Sequence, residues 1–201
     1  MKLFLKPGAC SLSPHIALEE AGLSYETENV DLVTKKTASG GNFFEVNPKG
    51  YVPALLLDSG ELLTEGPAIV QYIADQAPAR NLAPANGTLA RYQLQSWLNF
   101  IATEIHKSCT AFFHPLSKDD WKTAARANLD RRLGLLNDHL ADKPYLLGND
   151  FSVADGYLFT TLSWMKFVGI DLATLPSLAA FQARVAARPA VQKVLKDEGL
   201  A

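Results

Sequence analysis

The 201-residue sequence has few cysteines, little net charge and no long apolar run. Cys10 and Cys109 are its only cysteines, too few and too far apart to indicate a disulfide framework. The net charge of −2 gives no electrostatic reason to expect binding to nucleic acid or to an anionic membrane. The N-terminal run LFL is too short for the core of a signal peptide, and no stretch approaches the roughly 20 apolar residues of a membrane-spanning helix. These absences predict a soluble cytoplasmic protein with reduced cysteines.

The segment from residue 1 to 77 mixes strand and helix patterns. KLFL and YETENV read as strands, and SLSPHIALEEAG between them reads as a helix that ends at Gly22. After an irregular stretch, VPALLL and ELLT predict a hairpin around the turn DSG, and GPAIVQYIADQA predicts a helix. The predicted order is β-α-β followed by β-β-α, which describes a small α/β domain whose first three elements form a right-handed βαβ unit.

The remainder of the chain follows a different pattern. Pro78, Pro84 and the pair Asn86-Gly87 mark residues 78–87 as a linker. From residue 88 to 201, apolar residues recur every three or four positions, which is typical of amphipathic helices. Helices are predicted from residue 94, over 121–140, 153–167, 177–187 and 190–197, and the Ser152 and Asp155 spacing is a capping signal without catalytic meaning. The sequence therefore predicts an α/β domain followed by an all-helical domain.

Cys10 lies at the turn between the first strand and the first helix. Backbone N–H groups at a helix N-terminus favour a thiolate, the nucleophilic form of cysteine. The alternative is a buried cysteine that packs as a small apolar side chain. The position at a strand-to-helix turn leaves both interpretations open.

Two further segments suggest a site for a peptide-like ligand. Pro53 at the start of a strand removes a hydrogen-bond donor, which is explained if the Val52–Pro53 bond is cis and the Val52 backbone pairs with an extended ligand. Gly66 opens a helix whose N–H groups suit a carboxylate, and Glu65 beside it suits an ammonium group. The alternatives are an edge-strand proline and an ordinary helix start.

A third group follows the linker, on the first helix of the helical part. Asn99, Thr103 and His106 fall at steps of four and three, so they share one stripe of that helix. The stripe lines a cleft if it faces the first domain, and otherwise it is a solvated face with an incidental histidine. Lys35 lies in a predicted loop, where a surface charge is the simpler explanation.

Together these segments resemble the cytosolic glutathione transferases over nearly the whole chain. The resemblance rests on PGACSLSPHIAL, NPKGYVPAL, LTEGPAI, WLNFIATEIHK and the SVAD cap. The cysteine in the first turn, where other classes use Tyr or Ser, is similar to the bacterial beta class. The resemblance implies a thioredoxin-like N-terminal domain with most of the glutathione site, a helical domain that lines the electrophile site, and a homodimer.

The resemblance also implies roles for individual residues. Cys10 would lie beside the glutathione sulfur, Lys35 would pair with the glycyl carboxylate, and Val52 would exchange backbone hydrogen bonds with the cysteinyl unit across cis-Pro53. The γ-glutamyl end and the helical wall of the site are assigned to Glu65, Gly66, Asn99, Thr103, Glu104 and His106. The sequence departs from the family at position 66, where many members have a serine, so that only a backbone donor remains there.

The predicted activity is conjugation of the glutathione thiolate to an electrophilic aromatic or halogenated compound, with Cys10 and His106 as catalytic residues. One alternative is a glutathione-dependent thiol-disulfide reductase or dehalogenase that works through a mixed disulfide on Cys10. Another is a non-catalytic module that binds glutathione or hydrophobic ligands. Glutathione is the expected co-substrate, and no metal is expected, because the histidines show no ligand spacing with acids or cysteines.

Overall fold

The computed structural model describes all 201 residues, which divide into two compact units. Unit 1 contains Met1–Ala83 together with Arg188–Ala201, and unit 2 contains Pro84–Ala187. The α/β part followed by a helical part is confirmed. No helix of the chain is long and apolar enough to cross a membrane.

Unit 1 is built on a five-stranded sheet with the order β3-β2-β1-β4-β5. The strands are β1 (Lys2–Leu5), β2 (Glu26–Asp31), β3 (Lys36–Thr37), β4 (Ala54–Leu56) and β5 (Leu62–Thr64). Strand β1 pairs in parallel with β2 and antiparallel with β4, and the β4–β5 and β2–β3 pairs are antiparallel. Because β1 lies in the middle of this sheet, the turn that follows it carries Cys10 to the end of the central strand.

Three helices of unit 1 precede the linker: α1 (Leu12–Ala21), α2 (Phe43–Val46) and α3 (Gly66–Gln76). Helix α1 ends at Gly22, whose φ of 66° is left-handed and favours glycine, as predicted. Strand β3 and helix α2 lie in the stretch that the sequence pattern left irregular. They are two and four residues long, too short for a period of two or 3.6 residues to be visible.

Unit 2 consists of helices. They are α4 (Leu89–Phe100), α5 (Lys107–Phe113), α6 (Asp119–His139), α7 (Val153–Leu162) and α8 (Pro176–Ala186). Between α4 and α5 the helix continues through a π-helical turn over Ile101–His106. The predicted helix over 153–167 is wrong after residue 162, where the chain tightens into a 3₁₀ turn, Met165–Val168, that ends at a left-handed Gly169.

The last helix corrects the predicted domain division. Helix α9 (Pro189–Asp197) follows the helical part in sequence, but Arg188–Ala201 belongs to unit 1. Arg188 pairs with Glu20, and Glu198 accepts hydrogen bonds from the Gly8 N–H at 2.9 Å and bonds His15 Nδ1 at 2.8 Å. The 88–201 range is therefore wrong at its end, because polar partners on α1 and in the turn before it attach this segment to the α/β unit.

The capping signal in unit 2 is confirmed at the start of α7. The Ser152 N–H and hydroxyl both donate to Asp155 Oδ2 at 2.8 Å, and the Leu146 N–H donates to Asp155 Oδ1 at 2.8 Å. Burial raises the pKa of the Asp155 carboxyl to about 6. This carboxylate ties the loop before α7 to the helix start, and α7 carries a partner of the site described below.

Candidate active site

The turn between β1 and α1 holds Cys10 in a fixed position. Buried Ser11 accepts a hydrogen bond from the Lys6 N–H at 3.0 Å and donates to the Lys6 carbonyl at 3.2 Å, which closes the turn. Gly8 has a φ of 72°, a left-handed value that disfavours side chains. Cys10 as a whole residue is partly exposed.

The surroundings of the Cys10 thiol favour its protonated form. Its Sγ–H donates to the Val52 carbonyl at 3.2 Å. Burial raises the pKa of the thiol to about 11, and this effect outweighs the backbone N–H groups of Cys10 and Ser11, which lower it, while the negative charge of Glu65 raises it further. Of the two interpretations that the sequence left open, this pKa favours the neutral, buried thiol, because desolvation of the charge is a larger effect than the helix start.

The Val52–Pro53 peptide bond is cis, as predicted. The Val52 side chain is buried in the core, and its N–H has no hydrogen-bond partner within the chain. Gly66 lies next to Pro53, and a Cβ at position 66 would meet Pro53 Cγ at 3.9 Å, an ordinary contact. Space and backbone conformation therefore permit a larger residue at position 66.

Glu65 precedes α3 with a φ of 71°, an unusual value for a residue with a side chain. Its Oε1 accepts hydrogen bonds from Lys49 Nζ at 2.6 Å and from the Tyr51 hydroxyl at 2.7 Å. These hydrogen bonds, that from Lys49 first, lower the pKa of the Glu65 carboxyl. Glu65 is thus an exposed carboxylate that already holds an ammonium group.

The segment 49–53 connects the predicted residues of unit 1. Lys35, whose φ is 57°, donates from Nζ to the Gly50 carbonyl at 2.7 Å. The same segment contains the Val52 acceptor of the Cys10 thiol and the two donors to Glu65. All the predicted site residues of unit 1 therefore touch, or belong to, one loop and the helix start beside it.

The predicted residues of unit 2 differ in their exposure and in their partners. Asn99 and Thr103 are exposed, and the Thr103 hydroxyl donates to the Asn99 carbonyl at 3.0 Å. Glu104 instead turns toward α6, where its Oε2 lies 2.7 Å from the Arg132 guanidinium. Its carboxylate therefore has a cationic partner inside unit 2.

His106 ends the π-helical turn and is held between two aromatic side chains. Its Nδ1 lies 2.7 Å from the Tyr157 hydroxyl, and its ring centroid lies 5.0 Å from that of Trp164. Burial, with a smaller effect of the Lys107 charge, lowers the pKa of the imidazole to about 4. His106 is therefore neutral at neutral pH and can donate or accept one hydrogen bond without a charge.

Sequence reasoning missed three of the side chains that complete these groups. Lys49 and Tyr51 belong to the quoted NPKGYVPAL segment, but nothing in their spacing points to Glu65, which is reached only when the loop folds against α3. Tyr157 lies 51 residues from its partner His106. Its position two residues after the Asp155 cap was the only signal available.

Comparison with known proteins decides the family. Residues 1–75 match the profile "Glutathione S-transferase, N-terminal domain", and residues 119–196 match "Glutathione S-transferase, C-terminal domain". The chain is 48% identical over 200 residues to glutathione S-transferase GstA of Escherichia coli O157:H7, with both chains covered completely.

The chain belongs to the glutathione S-transferase family.

Two solved structures place this transferase more closely. The ternary complex of BphK, a bacterial transferase, is 60% identical with a TM-score of 0.98, and the beta-class enzyme of Sphingomonas chungbukensis is 52% identical with a TM-score of 0.97; each covers 100% of both chains. The chain resembles the beta class, and its N-terminal unit is thioredoxin-like, as predicted. Family membership favours an enzyme that conjugates glutathione, its co-substrate, over a binding module without catalysis.

Proposed function

We propose that glutathione lies along the segment 49–53 and the start of α3, with its sulfur beside Cys10. The observation that carries this proposal is the Cys10 Sγ–H bond of 3.2 Å to the Val52 carbonyl. It brings a thiol next to a backbone whose N–H has no partner in the chain. An extended tripeptide satisfies that N–H and carbonyl by strand-like pairing.

The ends of the tripeptide match the charges around this backbone. The Glu65 carboxylate suits the γ-glutamyl ammonium, and the Gly66 N–H, which has no helical partner at the first position of α3, suits the neighbouring carboxylate. Lys35 Nζ, which now donates to the Gly50 carbonyl, suits the glycyl carboxylate. Charges of the correct sign are thus available for each end of glutathione.

The proposed reaction uses the sulfur of glutathione as the nucleophile. The glutathione thiol loses its proton to solvent, and the thiolate attacks an electrophilic carbon. A carbon–sulfur bond forms, the bond to the leaving group breaks, and a halide departs with the electron pair when the substrate is a halogenated aromatic. Because Cys10 remains protonated, its Sγ–H can turn from Val52 to donate a hydrogen bond to the glutathione thiolate.

We further propose that unit 2 contributes to the same reaction. His106, neutral and held by Tyr157, would donate one hydrogen bond to the reacting sulfur, and the exposed Asn99 and Thr103 would contact glutathione. Glu104, whose carboxylate pairs with Arg132 as that of Glu65 pairs with Lys49, would belong to the same wall of the glutathione site. An aromatic or halogenated second substrate, a homodimer and a cytoplasmic location complete the proposal.

Replacement of Cys10 by alanine tests the role of the thiol. With glutathione and a chlorinated nitrobenzene, at a pH above the pKa of the bound glutathione thiol, Cys10→Ala should keep most of its kcat, because glutathione supplies the nucleophile. The thiol pKa of bound glutathione, followed by thiolate absorbance, should rise by about one unit, since a hydrogen bond to a charged group contributes about 1.5 kcal/mol or more. Loss of all conjugation in a folded Cys10→Ala variant would contradict this role.

The redox alternative has a different readout. Cys10 would attack oxidised glutathione, form a mixed disulfide and release one glutathione thiolate. With a pKa of about 11, about one Cys10 in ten thousand is a thiolate at pH 7, so we expect little adduct in the intact mass after incubation with oxidised glutathione. Rapid and complete addition of one glutathione to the wild type, lost in Cys10→Ala, would favour the redox function instead.

A further inference from the structure

The π-helical turn Ile101–His106 interrupts an otherwise regular helix of unit 2. The Lys107 N–H bonds the Ala102 carbonyl, five residues back, where an α-helix would use the residue four back. Such a turn shifts the direction of every side chain that follows it. His106 is the last residue of the turn, so the direction of its ring depends on whether the turn persists.

Helix α6 contacts this turn at Glu104, through both the backbone carbonyl and the side-chain carboxylate of that residue. The Asn128 side-chain NH₂ donates to the Glu104 carbonyl at 3.0 Å and to the Ser108 hydroxyl at 2.9 Å. One helical turn further along α6, Arg132 pairs with the Glu104 carboxylate. Backbone and side chain of Glu104 are therefore both fixed from the same helix, within two residues of His106.

The orientation of the Asn128 amide is itself determined. Its Oδ1 accepts a hydrogen bond from Arg131 at 3.0 Å, which leaves its NH₂ to face Glu104. The Ser108 hydroxyl donates to the Glu104 carbonyl at 2.8 Å, so this carbonyl receives two side-chain donors. A carbonyl with two side-chain donors is drawn away from the regular helical pattern, which stabilises the wider turn.

We propose that Asn128 is a positioning residue for glutathione transfer, which holds the π-helical turn through the Glu104 carbonyl and thereby directs the His106 ring onto Tyr157. Without the Asn128 donor, the turn relaxes toward α-helical geometry, and the 2.7 Å contact between His106 Nδ1 and the Tyr157 hydroxyl is lost. The effect on catalysis rests on the role proposed above for His106. The effect of Asn128 on the direction of the His106 ring does not depend on that role.

The test compares Asn128→Leu, which keeps the approximate size and removes both donors, with Asn137→Leu on the same helix. The Asn137 side chain accepts hydrogen bonds from the backbone of Ser177 and Leu178 and has no link to the π-helical turn. Melting temperature is measured for both variants, so that a general loss of stability is recognised by its presence in both.

Two readouts separate the two levels of the proposal. In long-range ¹H–¹⁵N spectra, Asn128→Leu should shift the His106 nitrogen signals, and Asn137→Leu should leave them in place. In conjugation assays, Asn128→Leu should lower kcat about tenfold, as expected for a displaced catalytic group, with KM for glutathione changed less than twofold. In the His106→Ala background, Asn128→Leu should have no further effect on kcat.

The outcomes remain distinguishable from failure of the proposed function. Unshifted His106 signals in folded Asn128→Leu overturn the positioning role, whatever the kinetics. Shifted signals with unchanged kcat, together with an unchanged kcat in His106→Ala, remove His106 from the reaction but leave the link between Asn128 and the ring established. An additive loss of kcat in the double variant would show that Asn128 acts by another route and would also overturn the proposal.

Discussion

Each of the two units holds one of the two predicted catalytic residues, and burial favours the uncharged form of both. Burial raises the pKa of Cys10 to about 11 in unit 1 and lowers the pKa of His106 to about 4 in unit 2. A nucleophile or a proton carrier of its own would need a pKa nearer to neutral. In the reaction proposed above, each unit would therefore offer a neutral hydrogen-bond donor, and the negative charge would be that of the glutathione thiolate.

The units differ in how they build these donors. In unit 1, backbone groups and short loops converge, so that Cys10 meets Val52 and Glu65 meets Lys49 and Tyr51 through one segment. In unit 2, side chains from separate helices converge on a widened helical turn. The backbone groups of unit 1 suit a peptide ligand such as the proposed glutathione. The converging side chains of unit 2 suit the exact placement of the His106 imidazole.

The largest expected effect concerns the charge in unit 1. Glu65→Gln removes the carboxylate that we propose for the γ-glutamyl ammonium, so KM for glutathione should rise roughly thirtyfold, from loss of about 2 kcal/mol in a charged hydrogen bond. The control is Glu61→Gln, an exposed glutamate whose carboxylate accepts only from Ser59. Initial rates against glutathione concentration give the comparison. Equal KM values for the two variants would remove Glu65 from the binding site.

A smaller effect is expected from removal of the His106 imidazole in unit 2. His106→Ala should lower kcat about tenfold, which corresponds to the loss of about 1.4 kcal/mol from one hydrogen bond, with the circular dichroism spectrum and melting transition retained. KM for glutathione should change little, because we propose that unit 1 binds its charged ends. A variant with unchanged kcat would break the proposed division of labour between the units.

The same contrast explains how far the sequence was informative. Turn residues mark the ends of most helices and strands of unit 1 in the sequence. For this reason β1, α1, the β4–β5 hairpin and α3 were predicted near their observed bounds. The cis bond before Pro53 followed from the resemblance to the transferases, since the position of the proline alone also allowed an edge-strand turn. Two features were not visible in the sequence. The π-helical turn leaves the three-to-four spacing of apolar residues unbroken, and the pKa of Cys10 depends on how much water the folded chain excludes.

The smallest expected effect concerns the pH dependence of kcat/KM. A His106 that stays neutral contributes no ionisation to that profile. With a pKa of about 4, the imidazole is charged in about 1% of molecules at pH 6, so its ionisation falls below the range of an assay from pH 5.5 to 8. Wild type and His106→Gln should therefore give kcat/KM profiles of the same shape, displaced by a constant factor, with one rise that belongs to the glutathione thiol. The value of kcat/KM should rise with pH, because the rate grows as that thiol loses its proton. No second ionisation should appear on the acid side of the profile. A wild-type limb between pH 6 and 7 that disappears in His106→Gln would mean that the ring gains a proton in the working enzyme. In that event His106 of unit 2 would carry a positive charge during the reaction, and the two units would no longer share an uncharged catalytic residue.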